Sequence, residues 1–147
     1  DYIWMKEYLQ LDGCAYRLTP IKYTPEDARD PFDMGRIDPD CAYKVIKNWE
    51  WGNSGSATIY HDVETRRNSV GYRSNIARAS EALAKDGQFK KAEELLDLGM
   101  KHMPLEYYGN YSMLEPFVSG YYELNKKEKA RDLLNKIILK YQEKYLI

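Results

Sequence analysis

An internal repeat constrains this chain more than any single motif does. Laying Ala92 on Ala130, a separation of 38 residues, brings Leu83 onto Tyr121, Gly87 onto Asn125, Leu96 onto Leu134 and Ile76 onto Leu114. Each copy reads as two helices around a turn. In the first copy, Ile76, Ala79, Ser80, Leu83 and Ala84 recur at helical spacing and stop at Asp86-Gly87. Phe89, Ala92, Leu96, Gly99, Met100 and Met103 then mark one face of a second helix, which ends at Pro104. Leu114, Phe117, Val118, Tyr121 and Leu124 carry the third helix; Ala130, Leu133, Leu134, Ile137, Ile138 and Tyr141 carry the fourth. Between the copies "LEYYGNY" reads as a loop. Ser112 and Glu115 have the spacing of a capping box, with Pro116 in the first turn where a missing N–H costs least.

The pieces resemble the tetratricopeptide unit, a helix–turn–helix of ~34 residues. Small Ala92 and Ala130 let the helices of each hairpin approach closely, while Leu83 and Tyr121 fill the space between them. Ser80 stands where a small residue is expected, but Val118 occupies that place in the second copy. A solenoid of this kind needs about three repeats to bury a continuous core, so the first part of the chain must supply the missing layer. Asp38-Pro39 fits an N-cap followed by Pro at the first helical position, and Ala42, Val45, Ile46 and Trp49 form a short apolar stripe. "WGNSGSAT" is a loop by composition, and Asp62 can start the long helix that enters the first repeat. The alternation around Gly13 in "YLQLDGCAYRLTPIKY" suits a short strand or hairpin. The expected fold is mostly α: tetratricopeptide-like helical hairpins over 62–147, capped by an irregular segment 1–61 that packs on them in one unit.

Composition excludes several classes. With 22 basic and 23 acidic residues, the charge is nearly balanced. The first 70 residues carry 9 basic and 12 acidic ones, so neither part makes the basic surface that nucleic acid requires. The longest apolar run is far short of the ~20 residues of a membrane span. Opening at Asp1 without a leader, the chain reads as a segment of a longer protein or a processed product. Cys14 and Cys41 are too few for a disulfide scaffold and lack metal spacing; they read as separate apolar thiols, or as one bridge in an oxidising compartment.

Three N-terminal stretches carry a more specific likeness: "YLQLDGCAYRLTPIK" at 8–22, "GRIDPDCAYKVIKNWEWGN" at 35–53 and "ETRRNSVGYRSNIARASEAL" at 64–83. With the helical repeats, they resemble the soluble C-terminal tail of a bacterial family of multi-span membrane proteins related to protein O-mannosyltransferases. The likeness covers nearly the whole chain. It implies a part in glycosyl transfer from a lipid-linked sugar, on the outer, periplasmic side of the inner membrane. It also implies that catalytic carboxylates and lipid-facing helices lie upstream of Asp1, so no catalytic residue is carried onto this segment. Cys14 replaces an apolar residue of the family pattern, which implies a buried thiol.

Side-chain chemistry adds a few candidates, each with a plain structural reading beside it. Asp27, Asp30, Asp33, Asp38 and Asp40 could hold a cation, but their spacing is not that of an EF-hand, and Asp38 already has a use as a helix cap. His61 and His102 have no ligand at metal spacing. Trp49 and Trp51, beside a Gly-rich loop, could stack on a sugar or simply anchor packing. Carrying the tetratricopeptide pattern over, the inner groove would be lined by Ser74, Ala77, Glu81, Ala84 and Lys85 with Ser112, Glu115, Ser119, Tyr122 and Glu123. No cofactor is expected. The first functional expectation is a non-catalytic accessory domain that positions an acceptor or partner, a protein or peptide that could include the parent's own membrane region. The alternative is a free-standing tetratricopeptide-like adaptor unrelated to sugar transfer; a self-contained enzyme comes third.

Overall fold

The computed structural model describes residues 3–23 and 34–145. Its described residues are mostly helical, with one small two-stranded sheet. After a 3₁₀ turn at Ile3–Tyr8, strands β1 (Leu9–Asp12) and β2 (Ala15–Leu18) pair antiparallel, with Leu9 opposite Leu18 and Asp12 opposite Ala15. The two-residue link demands Gly13, whose φ is +69° and whose missing Cβ would meet Val45 Cγ1 at 2.7 Å. The hairpin expected from the alternation is present. Only β1 contributes to the interior, through Gln10 and Leu11, while β2 is exposed throughout. Cys14, in the link, is also exposed, and both thiols are free. The buried-thiol expectation for Cys14 therefore fails: a two-residue hairpin link points its side chain outward.

Helix α1 (Pro39–Lys47) starts where the cap residues place it, the Asp38 carboxylate accepting from Cys41 N–H at 2.8 Å. Ala42 and Ile46 are buried, Val45 and Trp49 half-buried. This face packs on α2 (Val63–Lys85), α3 (Phe89–His102) and β1. Asp62 caps α2, accepting from the N–H groups of Glu64 and Thr65.

The α2–α3 turn and the turn from α5 (Glu115–Glu123) to α6 (Lys127–Tyr145) share one hydrogen-bond pattern. Gln88 N–H donates to Leu83 O at 2.9 Å and Gly87 N–H to Ala84 O at 3.0 Å; Lys126 N–H donates to Tyr121 O at 2.8 Å and Asn125 N–H to Tyr122 O at 2.9 Å. Both are Schellman closures, and both need a left-handed residue: φ is +76° at Gly87 and +57° at Asn125. Past each turn, Ala92 and Ala130 are fully buried, and Ser80 Oγ donates to Ala92 O at 3.0 Å across the first hairpin.

The hairpins stack through two glycines. A Cβ on Gly99 would lie 3.0 Å from the Phe117 ring and 3.3 Å from Ile76 Cδ1; one on Gly120 would lie 3.0 Å from Leu96 Cδ1. Helix α3 turns Leu95 rather than Phe89 to the core: Leu95 is fully buried, whereas Phe89 is 58% exposed. On α6 the expected stripe splits. Ala130, Leu133 and Ile137 are buried beneath α5 and the preceding turn, while Leu134, Ile138 and Tyr141 lie on the outer side and stay partly exposed.

The stretch expected to be a loop is structured. It holds a one-turn helix α4 (Leu105–Tyr108), then a 3₁₀ turn at Tyr111–Leu114 that runs directly into α5. Ser112 lies inside that turn, and Leu114, with no side-chain cap bond, precedes α5. The capping box is thus absent, because a helical turn already occupies the place where Ser112 would cap. Pro116 does fall in the first turn of α5.

Candidate functional site

Helices α2 and α5, the first of each hairpin, line a single cleft of about 480 Å³. It gathers Ser74, Ala77, Glu81 and Ala84 from α2 with Ser112, Glu115, Ser119 and Glu123 from the second copy. Lys85 and Tyr122 do not line it. Lys85 instead pairs with Glu81 one turn back, at 2.8 Å on an exposed face, and Tyr122 is 41% exposed elsewhere on α5. The sequence reading missed Arg78, Ser80, Met113, Pro116, Gly120 and Leu124 in the lining. Arg78 follows Ser74 by one helical turn, so strict i, i+4 spacing would have found it. Its guanidinium donates to Met34 O at 3.0 Å and to Tyr16 Oη at 3.3 Å, tying the N-terminal hairpin to the cleft wall. Among the described residues, Glu115 and Glu123 have no ion-pair partner, so the cleft carries excess negative charge.

A second cleft, of about 420 Å³, lies on the other side of α2 and contains Trp49 and Trp51. Trp49, Trp51, Tyr72 and Tyr108 form its aromatic lining, with Cys14, Glu50, Ser54, Thr65, Asn68, Ser69 and Met103. Trp49 meets Trp51 edge-on at 5.3 Å and Tyr72 edge-on at 5.6 Å. His102 stacks on Trp51, centroids 4.7 Å apart and nearly parallel, and burial holds its pKa below the ordinary histidine value. His61 stacks on Tyr107 and leans on Tyr108, its Nε2 3.0 Å from Ser56 O. Both histidines thus serve as packing surfaces. Trp51 anchors packing as well, while Trp49 and Tyr72 keep open area.

Beneath this cleft lies Arg73, fully buried. It donates from Nη1 to Gly109 O at 2.8 Å and from Nη2 to Met103 O at 2.7 Å, and sits 5.8 Å from the Tyr108 ring centre. Burial pulls its pKa down to about 10, so the group still carries its charge at neutral pH. The guanidinium fork staples the end of α3 to the residue that closes α4.

The acidic stretch gives no cation site among the described residues. Asp38 caps α1, and Asp40 pairs with Lys91 at 2.8 Å. Asp27, Asp30 and Asp33 lie outside the described residues. A polar network on α3, α5 and α6 is structural: Tyr121 Oη donates to Asp97 at 2.9 Å, and Lys129 bridges Asp97 and Glu93, both at 2.7 Å. Burial first, then the Asp97 carboxylate, pushes the Tyr121 phenol well above its ordinary pKa, which keeps it a donor. Among the described residues no helix is long and apolar enough to cross a membrane. No family model, curated protein or solved structure matches this chain.

Proposed function

We propose that this chain is a non-catalytic interaction domain built from tetratricopeptide-like hairpins. It holds a protein or peptide segment in the cleft between α2 and α5. The observation that carries this reading is the convergence of the first helices of both hairpins on one polar cleft. The shared Schellman turns and the buried Ala92 and Ala130 support the tetratricopeptide-like comparison. Small residues on the facing helices (Ala77, Ala84 and Ser119) leave room for a backbone to lie between them. The carboxylates of Glu115 and Glu123 favour a segment bearing Lys or Arg.

The parent is proposed, on the likeness of residues 8–22, 35–53 and 64–83, to be a membrane glycosyltransferase-like protein. The domain would then position an acceptor or partner on the periplasmic side. Transfer from a polyprenyl donor requires a general base or electrophile aimed at the sugar carbon. In the α2/α5 cleft the carboxylates lie beside serines and one arginine already tied to Met34. The domain alone, incubated with a lipid-linked mannose donor and a periplasmic extract, should yield no glycosylated product by mass spectrometry. Transfer would overturn the accessory reading. A coding frame with about ten apolar spans upstream of Asp1 supports the membrane parent; a signal peptide there supports the free-standing adaptor.

A further inference from the structure

We propose that the cleft walled by Trp49, Trp51, Tyr72 and Tyr108 binds a neutral pyranose sugar, independently of the α2/α5 cleft. The first argument is shape. Trp49 stands at 62° to Trp51 and at 82° to Tyr72, so the aromatic surfaces face different directions around one space. A pyranose presents a C–H face that lies on such a ring and hydroxyls around its edge. The volume of about 420 Å³ falls in the range of small-ligand sites.

The second argument is polar complementarity. The Asn68 amide on the rim offers donors and an acceptor, and Thr65 Oγ1, whose proton goes to Asp62 at 2.6 Å, can still accept; vicinal hydroxyls need both kinds of group. Two further polar atoms of lining residues, Trp51 Nε1 and Ser54 Oγ, have no hydrogen-bond partner among the described residues but are closed to solvent, so a ligand hydroxyl meets them only if the cleft wall shifts.

The third argument is charge. Arg73 places a buried cation behind the Tyr108 wall, and its hydrogen bonds go to backbone carbonyls rather than to a carboxylate. It opposes an ammonium ligand, although aromatic walls alone would suit one. The carboxylate of Glu50 on the rim opposes an anion. A neutral ligand satisfies both.

The three indole N–H signals of Trp4, Trp49 and Trp51 make the test direct. Trp4 is 73% exposed and does not line the cleft, so it is the internal control. The full chain is titrated with the methyl glycosides of glucose, galactose, mannose and N-acetylglucosamine, and separately with choline. At least one glycoside should shift the Trp49 and Trp51 signals saturably, in the millimolar range typical of a small ligand, and leave Trp4 unmoved. The same glycoside should slow alkylation of exposed Cys14, which lines the cleft. Trp49→Ala should weaken binding by at least about tenfold. In case that variant misfolds, Asn68→Ala on the exposed rim should weaken it severalfold with an unchanged melt. Titrations in which no glycoside shifts these signals saturably would overturn the proposal. So would choline shifting them more tightly than any sugar, which would mark an ammonium cage instead.

Discussion

Arg73→Met is expected to lower stability by on the order of 3 kcal/mol, a fall in Tm on the order of 10 °C. The guanidinium donates to both Met103 O and Gly109 O. A thioether cannot donate, so both carbonyls would lose those bonds inside the protein. Each buried acceptor left unsatisfied costs about 1–3 kcal/mol. Removing the desolvated charge offsets part of that loss, which is why the expected figure is not larger. Arg73→Lys should recover little, because one ammonium cannot replace a fork that spans the end of α3 and Gly109. A thermal melt of Arg73→Met that matches the parent protein would show that the connection between the hairpins does not depend on this staple.

Phe117→Ala is expected to cost about 3–5 kcal/mol. Its ring is fully buried and fills the space that Gly99 leaves open between the two hairpins. Alanine there leaves a cavity at the stacking surface, bordered by a glycine that offers no side chain to fill it. The loss should therefore appear twice: as a lower Tm, and as faster amide exchange across α5 relative to α2 and α3. Adding Gly99→Leu to Phe117→Ala should restore part of the stability by refilling the gap. No gain from that second substitution would argue against the Gly99–Phe117 contact.

Local signals were the most legible part of the sequence. Asp38 and Asp62 cap where their side chains predict, and the Asp86-Gly87 stop marks a left-handed turn that recurs at Asn125. Of the ten positions taken over from the tetratricopeptide pattern, eight line one cleft. Long-range effects decided what was not legible. Arg73 carries no sign in its neighbours that it will be buried, because its partners are backbone carbonyls at least thirty residues away. The Ser112 cap failed because a 3₁₀ turn took its place, and such a turn has no strong sequence signature. Ala92, Leu96 and Gly99 are buried as their spacing predicts, but the packed face widens to take in Leu95, while Phe89, at the first position of α3, stays exposed. The tryptophans were visible in the sequence, but the cleft was not: Cys14, Trp49, Tyr72 and Tyr108 meet only through tertiary folding.

Site-directed photocrosslinking in cells separates a partner cleft from a merely structural one. A benzophenone amino acid replaces Ser119, in the cleft between α2 and α5, or Arg131, exposed on α6 and outside that lining. If the cleft holds a partner segment, Ser119 gives a discrete adduct and Arg131 does not. The adduct should be lost in the Glu115→Lys, Glu123→Lys double variant, which should melt like the parent because both residues are exposed. Equal adducts at the two positions, or a Ser119 adduct indifferent to the charge reversal, would contradict a partner site between the hairpins.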